Sequence, residues 1–267
     1  MTGIAARLWN RLLYRTARAG REVPVIDAHI PEGRILYAVG DIHGESALME
    51  QLVDRIVQDA ATAGAGKAAT IIFLGDYIDR GPDSQGVLER LSGPPPAGVA
   101  WRFLRGNHEQ ALLDFLTDPE GAAAWLRFGG VETLASYGVL APPGTLDPRR
   151  LQALAAQLGE RLPPRHLDFL RGCEMMAVIG DYAFVHAGID PALPLDQQLP
   201  EDLLWIREGF IDRPVRGKHV IVHGHTVVET PLIEGNRIAI DTGAYATGRL
   251  TALVLAGRER RILQAIA

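Results

Sequence analysis

One cysteine, at position 173, stands in a chain of 267 residues. An intrachain disulfide is therefore excluded, as is a thiolate cage around a metal cluster, and a reducing setting such as the cytoplasm is expected. Long hydrophobic runs are missing: no apolar stretch approaches the roughly 20 residues that cross a bilayer. A basic surplus is also missing. Lys and Arg number 27 against 32 Asp and Glu, for a formal charge of −5, which gives no support to nucleic-acid binding, since that needs a basic surface. No internal repeat or low-complexity tract is present. What remains is a chain that is 47% hydrophobic, enough to bury a large α/β core.

Charge is uneven at the N-terminus. Arg7, Arg11, Arg15, Arg18 and Arg21 recur at three- and four-residue spacing, with Leu8, Trp9, Leu12 and Leu13 between them and no acid before residue 22. Residues 1–22 read as a basic amphipathic extension that packs on the domain or frays from it. A membrane surface or a partner protein is the alternative for its basic face. The segment lacks the long apolar region and small-residue cleavage site of a secretory signal.

Residues 23–267 read as one domain. From Arg34 to Glu109 strands alternate with helices: strands over 35–39, 70–74 and 101–104, helices over 47–62 and 85–91. Residues 110–171 turn rich in Ala and Leu and read as a helical insertion broken by Pro142-Pro143 and Pro163-Pro164. Strands return over 175–179, 182–185, 220–222, 237–240 and 250–255, close together as in a mixed or antiparallel region. The insertion divides motifs that must meet, so it is expected to overhang whatever site they form.

Five short polar signatures follow five of these strands: Gly40-Asp41-Ile42-His43-Gly44, Gly75-Asp76-Tyr77-Ile78-Asp79-Arg80-Gly81, Gly106-Asn107-His108-Glu109, His186-Ala187-Gly188 and His223-Gly224-His225-Thr226. In α/β sheets, ligands bind beyond the carboxyl ends of strands. Asp41 and His43, two apart on an extended segment, point the same way and suit one cation. Asp76 is the natural bridge, because its two oxygens can hold two cations about 3.5–4 Å apart. Asn107, His186 and His225 complete the second shell. Two such ions lower the pKa of a shared water and bind phosphate oxygens, so that a hydroxide held between them attacks phosphorus in line. Oxygen and imidazole donors suit Mn²⁺, Fe²⁺ or Zn²⁺ without choosing among them, with Mn²⁺ the expected ion in vitro.

The first three signatures resemble those of the phosphoprotein phosphatase family, the calcineurin-like metallophosphoesterases, over residues 34–255. The resemblance implies an α/β fold with a central two-sheet mixed β-sandwich flanked by helices. It also implies hydrolysis of phosphate monoesters, with Asp41, His43 and Asp76 on one ion and Asp76, Asn107, His186 and His225 on the other. It puts the last ligand at His225 rather than His223. His108, paired with Asp79, is carried over as the general acid for the leaving oxygen. Arg80 and Arg105, beside the ligand motifs, offer planar forks suited to phosphate. Arg207 is expected as a third clamp on the strength of the resemblance, with a surface salt bridge as its alternative. Tyr245 is expected to border the pocket.

Asp241-Thr242-Gly243-Ala244-Tyr245, with Phe128-Gly129-Gly130 and the segment 133–138, resembles bacterial and phage members. Those act as Ser/Thr protein phosphatases or as symmetrical dinucleoside tetraphosphate hydrolases, and a phosphoprotein or a small phosphoester is the expected partner. The protein phosphatase is the first reading. A dinucleotide substrate needs aromatic platforms for adenine, which Trp125, Phe128 and Tyr137 supply unless they form the insertion's core. An inactive phospho-binding scaffold is the alternative from another class, and the intact ligand set argues against it.

Overall fold

In the strand Arg34–Val39 successive side chains enter two different hydrophobic layers. Ile35, Tyr37 and Val39 pack towards helices, while Leu36 and Ala38 pack towards a second sheet. A strand buried on both faces is an unbroken apolar run, as Ile35–Val39 is in sequence. The computed structural model describes residues 27–144, 147–213 and 217–267, so the expected extension of residues 1–22 lies outside the described residues.

The first half alternates β1 (Arg34–Val39), α1 (Ser46–Ala61), β2 (Ala68–Phe73), α2 (Ser84–Leu91) and β3 (Val99–Phe103). Leu48, Met49, Leu52, Val53 and Ile56 give α1 its buried stripe. The Asp83 carboxylate caps α2 by accepting from the Gly86 N–H at 2.8 Å. Four helices follow: α3 (Asn107–Thr117), α4 (Gly130–Ser136), α5 (Pro148–Arg161) and α6 (Pro164–Gly172), with a 3₁₀ turn over Ala123–Phe128. The second half has β4 (Met176–Ile179), β5 (Tyr182–Val185), the short helices α7 (Pro200–Trp205) and α8 (Glu208–Ile211), β6 (Val220–His223), β7 (Leu232–Glu234), β8 (Arg237–Ala239), the turn α9 (Ala244–Thr247), β9 (Arg249–Ala256) and β10 (Glu259–Ile266).

The strands form two five-stranded sheets, ordered β10-β9-β1-β2-β3 and β4-β5-β6-β8-β7. Both are mixed. β1, β2 and β3 run parallel and β9 and β10 antiparallel, while β5, β6 and β8 run parallel and β4 and β7 antiparallel. Leu36, Ile72, Leu104 and Leu253 of one sheet meet Phe184, Val222 and Ile238 of the other in the layer between them. Helices cover the outer faces, α1 to α6 on the first sheet and α7 with α8 on the second. The expected two-sheet sandwich with flanking helices is the fold observed. Among the described residues no helix is long and apolar enough to cross a membrane.

Strands β7 and β10 and helices α7 and α8 were not anticipated. β10 hides behind charge: Arg260 donates to the Tyr182 hydroxyl at 2.7 Å, and Arg261 pairs with Asp59 of α1 at 2.6 Å. Adjacent strand residues point to opposite faces, so two arginines in a row can each cover a different layer.

Candidate metal centre

The loops after β1, β2, β5, β6 and β8, together with the start of α3, meet at one place, and backbone hydrogen bonds hold them there. Ile42 and His43 N–H both donate to the Asp76 carbonyl at 3.0 and 2.9 Å, and Gly224 N–H donates to the His186 carbonyl at 2.9 Å. The turns are strained. Among the described residues, five non-glycines have positive φ: His43 (+48°), Asp76 (+53°), Asp79 (+74°), Arg80 (+68°) and His225 (+61°). All five are residues singled out from sequence. Such conformations cost on the order of 1–3 kcal/mol each and persist where the surroundings over-determine them. Two glycines show how tightly: a Cβ on Gly106 would lie 2.1 Å from the Asp76 Oδ1, and one on Gly224 would lie 2.0 Å from the Asp41 Oδ1.

Asp76 is central. Its Oδ2 lies 3.6 Å from the His43 Nε2, and its Oδ1 lies 3.4 Å from the His186 Nε2. Its two oxygens thus belong to two groups of donors, His43–Asp76–His108 and Asp76–His186–His225, each able to hold a cation and each fully buried. His43 and His186 donate through Nδ1 to the carbonyls of Ile78 and Leu74, both at 2.9 Å, which turns each Nε2 inward. Asn107 Oδ1 lies 2.8 Å from the His186 Nε2. The Nε2 atoms of His43 and His225 are buried without a hydrogen-bond partner. Orphaned imidazole nitrogens beside a buried carboxylate are what divalent cations complete, so the residues present fit two such ions.

Asp41 departs from the expected geometry in one respect. Its carboxylate accepts from the His225 N–H at 3.0 Å and stands outside the tight His43 group, where His108 takes its place. Burial first, then the charges of Asp241 and Asp76, push the Asp41 carboxyl well above the usual range. Burial likewise lifts Asp241 to about 6. His43 and His225 are shifted down, by burial and then by Arg80 and Arg207 respectively. Cations among these groups would reverse both penalties, matching crowded carboxylates with neutral imidazoles.

His108 donates through Nδ1 to the Asp79 Oδ2 at 2.6 Å, both side chains buried. Its Nε2 therefore faces the cluster, 3.8 Å from the Asp76 Oδ2 and 3.2 Å from the Arg80 Nη2. Arg80 also lies over the Tyr245 ring, 4.8 Å from its centroid, and Tyr245 meets His43 edge-on at 5.3 Å. Arg207 reaches Thr226 Oγ1 at 3.3 Å and the His225 Nδ1 at 3.5 Å. Burial beside His225 pulls the Arg207 guanidinium down, with the charges of Asp241, Asp76 and Asp41 acting against that shift.

Arg105 makes other contacts. Its guanidinium donates to Gln110 Oε1 at 3.0 Å and to the Arg171 carbonyl at 2.8 Å, on the wall of a 690 Å³ cavity between α3, α5 and α6. None of the ligands named above lines that cavity. Arg105 follows Leu104 by one residue, and Leu104 points into the layer between the sheets. The next side chain on an extended segment leaves by the opposite face, which carries the Arg105 guanidinium towards α6.

Sequence reasoning gave Asp241, Glu109 and Thr133 no role of their own and weighed Trp125 only as an adenine platform. Glu109 accepts the N–H groups of Asp76, Tyr77 and Gly106 at 2.8, 2.8 and 2.9 Å and so fixes the Asp76 turn. A Glu three residues into α3, after Gly106, carries the signal of a helix-start carboxylate. Trp125 and Thr133 reach Asp79 from the insertion, where an Ala- and Leu-rich context gives no signal. The expected overhang is thus a direct contact.

A family model described as calcineurin-like phosphoesterase matches residues 36–248. An asymmetrical bis(5'-nucleosyl)-tetraphosphatase, PrpE, of Bacillus velezensis is 31% identical over 230 residues, covering 80% of this chain and 86% of that protein. A serine/threonine-protein phosphatase 1 of Salmonella typhimurium is 30% identical over 227 residues, covering 82% and 90%. A crystal structure of a candidate diadenosine tetraphosphatase superposes with a TM-score of 0.58 at 21% identity, covering 89% of this chain and 98% of that one, which shows likeness of fold.

Proposed function

The chain belongs to the calcineurin-like phosphoesterase family, and on that premise we propose that it hydrolyses phosphate monoesters with two divalent cations, as a Ser/Thr protein phosphatase. The cations would be held by His43, Asp76, Asn107, His186 and His225, with Asp41 beside them. Bound there, they supply Lewis acidity and a water acidic enough to attack near neutral pH. Arg80 and Arg207 bind the phosphoryl oxygens through charge-assisted hydrogen bonds. His108 delivers a proton from Nε2 to the leaving oxygen, while its Nδ1–H stays on Asp79. Removal of the seryl or threonyl alkoxide needs that proton.

The choice of substrate rests on the fate of two aromatic side chains. Of the candidates for stacking adenine, Trp125 and Tyr137 are 1% and 5% exposed, and Phe128 is partly buried against the core. Trp125 spends its N–H on Asp79, and the Tyr137 hydroxyl lies 2.8 Å from the His166 Nδ1. Both are core, which supports a site that grips a phosphoryl group rather than a dinucleotide. The tetraphosphatase relatives make a dinucleoside tetraphosphate the second reading, with half-buried Tyr245 the aromatic ring beside Arg80.

Initial rates of the Mn²⁺-loaded protein on phosphoserine and phosphothreonine peptides and on diadenosine tetraphosphate test this. The expected result is a higher kcat/KM on the peptides, abolished by a chelator. Faster cleavage of the tetraphosphate overturns the protein-phosphatase reading, and its products, two ADP or ATP with AMP, tell symmetrical from asymmetrical cleavage. Peptide binding without turnover of any ester would make the chain a scaffold.

A further inference from the structure

Asp79 is held from the side opposite His108 by the insertion. Its Oδ2 accepts from the Trp125 Nε1 at 2.7 Å as well as from the His108 Nδ1 at 2.6 Å. Its Oδ1 accepts from the Thr133 hydroxyl at 2.5 Å, and its own N–H donates to Thr133 Oγ1 at 2.9 Å and to Ser84 Oγ at 3.0 Å. All five side chains are at most 1% exposed. The adjoining Arg80 N–H donates to the Gly129 carbonyl at 3.3 Å, and a Cβ on Gly129 would meet that nitrogen at 2.4 Å. The 3₁₀ turn and α4 therefore close on the Asp79–Arg80 turn with no room for a side chain.

A carboxylate with a single donor can swing about χ2 and take its partner's ring with it. With Trp125 and Thr133 on separate oxygens, the carboxylate plane is fixed by two donors that take no part in chemistry, and the direction of His108 Nδ1–H follows. Both donors are neutral, so they add direction without a competing charge. The arrangement also accounts for the positive φ of Asp79, a strained conformation that needs several independent holds.

We propose that Trp125 and Thr133 are positioning residues that aim the His108 ring through Asp79, making the insertion a working part of the proton-delivery site. This rests on the reading of His108 as the general acid. Misaim by a fraction of an ångström lowers the rate of proton transfer without touching metal ligands or phosphate clamps.

The test uses Trp125→Phe, which keeps the ring packing and removes the N–H, and Thr133→Val, which keeps the shape and removes the hydroxyl. Each is assayed as Mn²⁺-loaded protein on phenyl phosphate, a poor leaving group, and on 2,4-dinitrophenyl phosphate, a good one, beside His108→Ala. For each variant, kcat on phenyl phosphate should fall about five- to tenfold, the size of one oriented hydrogen bond. On the dinitrophenyl ester it should stay within about twofold, with KM unchanged on both. In the His108→Ala background neither change should add to the loss. Equal losses on the two esters, or additive losses in that background, would make the pair packing residues and overturn the inference. Should His108→Ala itself lose equally on both esters, the acid reading fails. Should His108→Ala discriminate while both single variants do not, the acid reading stands and this inference falls.

Discussion

The Arg80 Nη2 lies 3.2 Å from the His108 Nε2, the nitrogen that must face the leaving oxygen. A guanidinium is a donor only, so here it covers the Nε2 lone pair of the neutral ring, and when an anion draws it away that nitrogen takes up from solvent the proton it later delivers. Phosphate is such an anion, and the move from His108 to a phosphoryl oxygen couples substrate binding to uncovering of the acid. Arg80→Ala should therefore weaken inhibition by inorganic phosphate by about 10- to 100-fold, the loss of a charge-assisted fork. Arg80→Lys should recover only part, since it keeps charge without the bidentate geometry. Inhibition constants within twofold of the parent in both variants would remove Arg80 from the clamp.

Arg207 and Arg105 should separate cleanly. Arg207 lies beside His225 and Thr226, whereas Arg105 ties α3 to the end of α6 through Gln110 and the Arg171 carbonyl. Arg207→Ala is expected to weaken phosphate inhibition about as much as Arg80→Ala does. Arg105→Ala should leave that inhibition unchanged and lower the Tm by a few degrees, because hydrogen bonds from a charged donor contribute about 1.5–3 kcal/mol. Phosphate inhibition and calorimetry on the two variants decide it, and a phosphate defect in Arg105→Ala would restore it to the site.

What the sequence made legible follows from what kind of constraint was at work. Ligand motifs are bracketed by glycines because backbone and carboxylate approach within a Cβ radius there, as at Gly106 and Gly224, and a glycine beside an Asp or His is visible in any sequence. The alternation of β1 and the stripe of α1 were equally plain. Side-chain direction was not. Arg105 and Arg207 look alike as letters, and only the pleat after β3 and the turn between α7 and α8 decide where each guanidinium lies. The hold of Trp125 and Thr133 on Asp79 was invisible for another reason: a residue with one polar atom in an apolar helix reads as core, and its hydrogen bond is a fact of tertiary packing.

A bridging role for Asp76, as proposed, gives an asymmetric expectation. Its two oxygens approach His43 and His186 separately, whereas Asp41 is engaged with the His225 N–H at the edge of the cluster. Asp76→Asn leaves one strong oxygen donor in place of two and should bring bound metal well below one equivalent per chain. Asp41→Asn should keep about one equivalent and lose activity less severely, by about tenfold less. Elemental analysis of the two variants, purified side by side in Mn²⁺, reads this out. Equal metal content would mean that Asp76 does not bridge.

Crowded carboxylates also make the metal-free protein sensitive to pH in an unusual direction. Burial raises Asp241 to about 6, although the Gly243 N–H and Arg80 pull it down, and burial with neighbouring carboxylates raises Asp41 as well. Both folded values exceed the ordinary carboxylate range near 4, so between about pH 4 and about pH 6 Asp241 in the folded chain holds a proton that the unfolded chain has released, and Asp41 acts in the same direction. Stability from Asp241 is therefore present at the acid end of that window and lost as pH rises through it. Divalent cations take over the protons' task, so the Tm gained on adding Mn²⁺ should grow from about pH 4.5 to about pH 7, with proton release on binding. Asp241→Asn keeps the acceptor that Gly243 N–H uses, at 2.8 Å, and removes the charge. It should flatten the loss of Tm in chelator-treated protein across the window relative to the parent. Calorimetry of parent and variant, with and without metal, measures both slopes. A variant whose metal-free slope matches the parent's would show that Asp241 is already paired, and the strain that cations relieve would then have to lie at Asp41 alone.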